Sequence, residues 1–194
     1  MPNVIIIAGP NGAGKSTVAP ALLRDELSVS EYVNADVLAQ GLSAFAPEKV
    51  ALAAGKIMLR RLDELAAEHA DFAFETTLST KSYVPRVEKM RQSGYKFVLF
   101  FFWLTSAELA VSRVAKRVAR GGHYIPDDVV KRRYEKGLSN FFRLYQPLAD
   151  KWFLYDNSNA PTSNLIANGS LLTVEKTVDS SLWQKLQENY GKER

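Results

Sequence analysis

Gly9-Pro-Asn-Gly-Ala-Gly-Lys15-Ser16-Thr17 follows the apolar run Asn3-Val-Ile-Ile-Ile-Ala8, and a helix-compatible stretch comes after it. The spacing G-x-x-x-x-G-K-[ST] between a strand and a helix is that of a phosphate-binding loop. Its glycines, Gly9, Gly12 and Gly14, let backbone N–H groups turn inward as a nest for phosphate oxygens. Pro10, Asn11 and Ala13 fill the loop between them, and the whole stretch from Gly9 to Thr17 is the expected nucleotide contact. The helix that follows offers unpaired N–H donors to the same anion. Lys15 brings a movable charge to the outer phosphates, and the Ser16 hydroxyl is a Mg2+ ligand candidate.

Working outward, five apolar segments read as strands: residues 3–8, 31–35, 71–75, 96–104 and 152–156. Helical patterns lie between them. Val50, Ala54, Met58, Leu62 and Leu65 recur at helical spacing after Pro47, a first-turn proline. Thr105-Ser-Ala-Glu108 reads as a capping box opening a further helix. Strands alternating with helices predict an α/β fold, a doubly wound parallel five-stranded sheet of the P-loop NTPase and nucleoside-kinase type. Ligands then bind at the C-terminal ends of the strands. Pro20 conflicts with the helix after the loop and predicts a kink or an irregular first turn. Past Asp156 the pattern changes. Asn168-Gly169, between Asn164-Leu-Ile-Ala and Leu171-Leu-Thr-Val-Glu, predicts a hairpin, and a short helix spans about Ser181 to Tyr190. The reading is one domain over residues 1–194. Its lid segment covers about 106–140, and its C-terminal hairpin and helix about 160–192.

The chain has 194 residues, enough for one α/β domain with a good core. No cysteine is present, which excludes disulfides and thiolate metal sites. No basic leader precedes the apolar N-terminus, and the longest apolar run, 97–104, is far short of the ~20 residues that span a bilayer. A cytoplasmic home without membrane contact is the expectation. The net charge of +4 is uneven: residues 113–136 hold eight Lys or Arg against three Asp or Glu, which leaves the remainder slightly acidic. Such confinement points to a local anion site rather than a nucleic-acid surface.

A phosphate loop alone does not separate switches, motors, transporters and kinases. The chain has no N-K-x-D and no L-S-G-G-Q stretch, and its longest apolar strand ends without an acid. Acids end two other strands instead: Asp36 after Tyr32-Val-Asn34-Ala, and Glu75 before Thr76-Thr77. A carboxylate beside the loop suits a base that takes a proton from an attacking hydroxyl in line with the γ-phosphate. For Asp36 the competing reading is a helix N-cap or turn residue. Glu75 is either a partner of the Mg2+ shell or an acceptor for a substrate hydroxyl, against a purely structural hydrogen bond. Asn34, Thr76 and Thr77 are substrate-side candidates, with strand-end packing as the alternative for the threonines.

Arg113, Arg117 and Arg120 share one helix face, opposite Ala110, Val114 and Val118. Gly121-Gly-His-Tyr-Ile-Pro126 breaks that helix, and Lys131, Arg132 and Arg133 begin the next. Two basic helices on a glycine hinge read as a lid over a triphosphate, against the alternative of a solvated basic face. His123 either touches substrate or is a turn residue. Phe141, Phe142 and Tyr145 read as core, and Asn157 and Ser158 as contacts for a nucleotide base.

Together these residues resemble the zeta-toxin-like P-loop kinases, relatives of nucleotide and shikimate-type kinases. The carriers are Gly9-Pro-Asn-Gly-Ala-Gly-Lys-Ser16, Val33-Asn-Ala-Asp36, Phe74-Glu-Thr-Thr-Leu-Ser79, the Arg-rich segment through Gly121-Gly-His-Tyr-Ile-Pro126, and Leu154-Tyr-Asp-Asn-Ser158. The resemblance spans about residues 3–158. It implies ATP or GTP with Mg2+ as phosphoryl donor and a small-molecule hydroxyl as acceptor. In the best-understood members the acceptor is a UDP-activated amino sugar, and an antitoxin protein blocks the nucleotide site. Lys15 and Ser16 would hold phosphates and metal, Asp36 would be the base, Glu75 and Thr77 would face the substrate, and Arg113 would be a lid arginine. The family pattern puts a second catalytic arginine just before the proline-containing turn. Here His123 falls there, so the second cation is Arg120, is Arg133, or is lost. Two other classes remain open at this level: a nucleotide-dependent switch that binds a protein partner, and a polynucleotide kinase.

Overall fold

The computed structural model describes residues 1–159 and 161–191. Five parallel strands, β1 (Asn3–Ala8), β2 (Glu31–Val33), β3 (Phe72–Thr76), β4 (Lys96–Trp103) and β5 (Lys151–Asp156), stand in the order β2-β3-β1-β4-β5. Every side chain of β1 from Val4 to Ala8 is buried, and so is β4 from Phe97 to Trp103 except for Val98. Strands buried to this degree are covered on both faces, which accounts for their unbroken apolar sequence. Ala8 pairs with Thr76 on one side and Phe101 on the other, so the chain leaves β1 between the ends of β3 and β4. That exit fixes where the phosphate loop sits.

The helices are α1 (Lys15–Pro20), α2 (Ala35–Leu42), α3 (Ala51–Ala67), α4 (Val84–Gln92), α5 (Ala107–Val118), α6 (Asp127–Asn140) and α7 (Ser180–Leu186). Three local expectations shift. Strand β2 stops at Val33 because Asn34 caps α2, accepting from the N–H groups of Asp36 and Val37. Asp36 therefore lies in the first turn of a helix, not at a strand end. The cap of α5 is Ser106, which accepts from Leu109 N at 3.1 Å, while Thr105 N donates to Ser158 Oγ just past the ends of β4 and β5. The expected irregularity at Pro20 falls after the proline, not in the first turn: the regular helix α1 ends there. Proline offers no N–H to the carbonyl of Ser16, and the chain widens into a π-helical turn, Ala21–Glu26, directly afterwards.

The C-terminal segment joins the same sheet. Strands β6 (Asn164–Ser170) and β7 (Thr173–Thr177) extend it antiparallel beyond β5, giving seven strands in one sheet. The turn is Leu171-Leu172 rather than Asn168-Gly169, which lies inside β6 at a register shift. Close packing decides this. A Cβ on Gly169 would sit 2.0 Å from the Thr173 carbonyl oxygen and 2.7 Å from the Trp152 ring, so glycine serves backbone contact here, not turning. Residues 160 and 192, the outer bounds expected for this segment, lie outside the described residues.

Helix α7 docks through aromatics. Trp183 stacks on Trp152 with centroids 5.2 Å apart, and Trp152 meets Phe141, which also packs against Phe101. Phe141 and Tyr145 are fully buried and Phe142 nearly so, as core residues. Gly169→Ala is expected to lower stability by about 1–3 kcal/mol through overpacking against β7 and Trp152. Urea denaturation reads the loss, and an unchanged midpoint would contradict this register.

Candidate active site

The loop takes its shape from left-handed backbone: Gly9, Gly12 and Gly14 have φ of 141°, 78° and 81°. Gly14 is also the residue from which α1 starts, and a Cβ there would lie 2.8 Å from Asn157 Nδ2. The loop is held from outside by two side chains. Asn157, buried, donates its amide to the Ala13 carbonyl and accepts from Ser163 Oγ at 2.7 Å. Arg113 of α5 donates to the carbonyls of Gly12 (3.4 Å), Asn157 (2.9 Å) and Ser158 (2.6 Å). Both residues thus face backbone carbonyls. Asn157 acts on the loop from beneath, and Arg113 ties the loop to the end of β5.

At the inner end of the loop, one carboxylate collects the polar groups. Glu75 Oε2 accepts from Ser16 Oγ (2.8 Å), the Tyr32 hydroxyl (2.5 Å) and Asn34 Nδ2 (2.9 Å), and Oε1 lies 3.6 Å from Lys15 Nζ. Lys15 Nζ also donates to the Pro10 carbonyl at 3.0 Å. Burial depresses the Lys15 pKa below its ordinary value, against the opposing pull of Glu75 and Asp36. Burial, reinforced by the Glu75 charge, raises that of Tyr32, which therefore stays a donor. No motif in the sequence singles out Tyr32. Strand periodicity contains the signal, because residues 32 and 34 point to the same side of the chain as it leaves β2.

Beside this cluster opens a cavity of about 350 Å³. Asn11, Lys15, Asn34, Asp36, Glu75, Thr76, Thr77 and Arg133 line it together, so eight sequence-selected residues from separate elements meet in one space. Ala35, Met58, Ser79, Thr80 and Tyr83 complete the wall; of these Ser79 closes the Phe74–Ser79 stretch, and Thr80 and Tyr83 lie in no motif. Among the described residues the Asp36 carboxylate holds no hydrogen bond; only its backbone N–H is engaged, by the Asn34 cap. Arg133 Nη1 donates to Asn11 Oδ1 at 3.3 Å, and burial lowers its pKa while the charge of Asp36 opposes that.

The basic residues divide. Arg117 is near enough for its charge to oppose protonation of Lys15; it donates to the His123 carbonyl at 3.4 Å, and its Nε is buried without a partner. Arg120 lies exposed in the turn past the end of α5. His123 is half-buried in the segment joining α5 to α6 and offers its carbonyl to Arg117. Thr17 is exposed on α1.

The donor set fits Mg2+. Ser16 keeps its oxygen lone pairs while its proton goes to Glu75, and both groups are hard oxygens. Among the described residues no group of three or more His, Asp or Glu side chains could hold a metal ion. No described helix is long and apolar enough to cross a membrane.

A mostly parallel sheet with this loop at the exit of the middle one of its five parallel strands defines a P-loop fold, the class of protein to which the chain belongs. Residues 1–160 match the zeta toxin family. The chain belongs to that family. An uncharacterized protein of Haemophilus influenzae is 28% identical over 130 residues, covering 67% of this chain and 91% of its own. The structure of AvrRxo1-ORF1 with ORF2 and ATP superposes with a TM-score of 0.75 at 17% identity, over 96% of this chain and 63% of that one. The chain thus spans less than two thirds of that relative. A chain of the PezAT toxin–antitoxin system of Streptococcus pneumoniae gives a TM-score of 0.63 at 16% identity, over 100% of this chain and 80% of its own.

The depressed Lys15 pKa has a consequence for binding. Below that pKa the free protein presents an ammonium to phosphate; above it the charge is gone. Nucleotide affinity is expected to fall as pH rises, beginning below the 10.5 of an ordinary lysine. Calorimetry with a non-hydrolysable ATP analogue checks this, and an affinity flat up to that pH would contradict it. Arg113→Ala is expected to lower stability by about 1.5–3 kcal/mol, the scale for hydrogen bonds to a charged group. Thermal unfolding measures the loss, and an unchanged transition would mean the three carbonyl contacts are not formed.

Proposed function

We propose that the protein transfers the γ-phosphoryl group of ATP to a hydroxyl of a small molecule held in the cavity beside Asp36. The observation that carries this reading is the Asp36 carboxylate, free of hydrogen bonds and sharing one cavity with Lys15, Glu75 and Arg133. A phosphotransferase needs an uncommitted base on the acceptor side of the phosphate loop, and a hydrolytic switch does not. The acceptor oxygen attacks the γ-phosphorus while its proton passes to Asp36. The bond from that phosphorus to the β–γ bridging oxygen breaks, and its electron pair leaves with ADP.

The other residues have distinct parts. Loop N–H groups and Lys15 hold the outer phosphates. Ser16, with Glu75 behind it, would hold Mg2+, which supplies charge neutralisation on the β and γ oxygens. Arg117 and Arg133 flank the loop and stabilise charge on the moving group, while Arg113 keeps the loop in place. Helices α5 and α6 with their glycine hinge form the lid, in the cytoplasm, and an antitoxin protein is the expected partner at the nucleotide site. The UDP-amino sugar of the best-understood zeta toxins sets the chemistry expected of the acceptor, a hydroxyl on a sugar ring.

Asp36→Asn is expected to reduce turnover about 10²–10⁴-fold, the usual contribution of a positioned base, with nucleotide affinity within about twofold. ADP release and calorimetry read the two quantities separately. Undiminished phosphoryl transfer by this variant would remove Asp36 as the base. Basal hydrolysis that no hydroxyl compound accelerates would favour the nucleotide-dependent switch.

A further inference from the structure

We infer that the acceptor is a compact, neutral polyhydroxyl compound of monosaccharide size, not a nucleotide-linked sugar. The inference rests on the phosphotransferase reading and concerns the same cavity. Three features of its wall converge on it.

Size comes first. The cavity of about 350 Å³ stands near the bottom of the roughly 300–1,000 Å³ span of small-molecule sites, and the incoming phosphoryl group takes part of it. A hexose, with about a dozen heavy atoms, matches that space, whereas a UDP-sugar has about three times as many.

Charge comes second. Lys15 and Arg133 are the only cations in the wall among the described residues, and both stand against the phosphate loop, Arg133 through Asn11. Recognition of a diphosphate on the acceptor needs further cations, preferably bidentate arginines. The rest of the wall has none to give. Two further arginines of the basic segment are elsewhere: Arg113 is tied to three carbonyls, and Arg120 is exposed beyond α5.

Hydrogen-bonding capacity comes third. Thr76 Oγ1 accepts from Leu78 N, which leaves its own proton to donate. Thr77 and Ser79 hydroxyls are 2.9 Å apart, so one donates to the other and one proton remains free. Asp36 is an open acceptor. Neutral hydroxyl donors next to one carboxylate acceptor, with Met58 and Tyr83 as an apolar backing, match the alternating O–H and C–H faces of a sugar or polyol.

The test is a rate comparison on the full chain with ATP and Mg2+. ADP formation is followed with monosaccharides and polyols in one arm, and UDP-N-acetylglucosamine and other UDP-sugars in the second. Products are identified by mass spectrometry. The expected result is at least about tenfold acceleration over basal hydrolysis by a member of the first arm, with a phosphorylated product, and none by the second. Thr77→Val should then raise the KM for that acceptor about tenfold, the loss of one good hydrogen bond, while the KM for ATP holds. Acceleration by a UDP-sugar with the first arm inert overturns the inference and leaves the phosphotransferase reading standing. Inertness of both arms overturns both.

Discussion

Burying Lys15 and Glu75 together is the constraint on which the rest of this structure depends. Side chains 6% and 10% exposed cannot keep opposite charges without partners, and here they lie 3.6 Å apart. Attraction alone seldom offsets the loss of hydration for such a pair; the remaining lone pairs and protons must also be met. Pro10 meets one proton of Lys15, while Ser16, Tyr32 and Asn34 meet one oxygen of Glu75. These partners come from the loop, α1, β2 and the cap of α2. The sheet order β2-β3-β1 brings all of them to the C-terminal end of β3. The strand order is therefore fixed by chemistry at that end as well as by apolar packing lower down.

How far this is legible in sequence differs by level. The five parallel strands are readable because each is an apolar run bounded by helical periodicity, and the burial of β1 and β4 explains why those runs do not alternate. The loop is readable because its glycines answer a local need for positive φ. Sequence misleads where a residue answers a contact distant along the chain. Asn168-Gly169 has the composition of a turn, yet Gly169 exists for Thr173 and Trp152. Asn34 reads only as a substrate-side residue; besides standing in the cavity wall it caps α2 and donates to a carboxylate 41 residues away, two uses the local sequence does not show. Tyr32, Thr80 and Tyr83 are marked by no catalytic pattern of their own; only the crossing of elements gives them a shared site.

The basic segment shows the same limit. Helical spacing puts Arg113, Arg117 and Arg120 on one face, but spacing cannot say what each guanidinium meets. Arg113 meets three carbonyls, a use that suits five fixed donors and would be poorly served by lysine. By clamping Gly12 to Asn157 and Ser158 it ties the phosphate loop to the segment that follows β5. Preorganisation of that kind removes ordering costs from the binding step.

Arg117 is the counterpart. Its Nε is buried without an acceptor, and its charge already opposes that of Lys15. A buried donor without a partner costs about 1–3 kcal/mol, and two cations held close add repulsion. An anion placed between the two side chains would answer both, as an acceptor for the one and a counter-charge for the pair. On the phosphotransferase reading, that anion is the phosphate chain of ATP. Arg117, with a donor still open, is then placed to take a phosphate oxygen, while the donors of Arg113 are engaged by carbonyls.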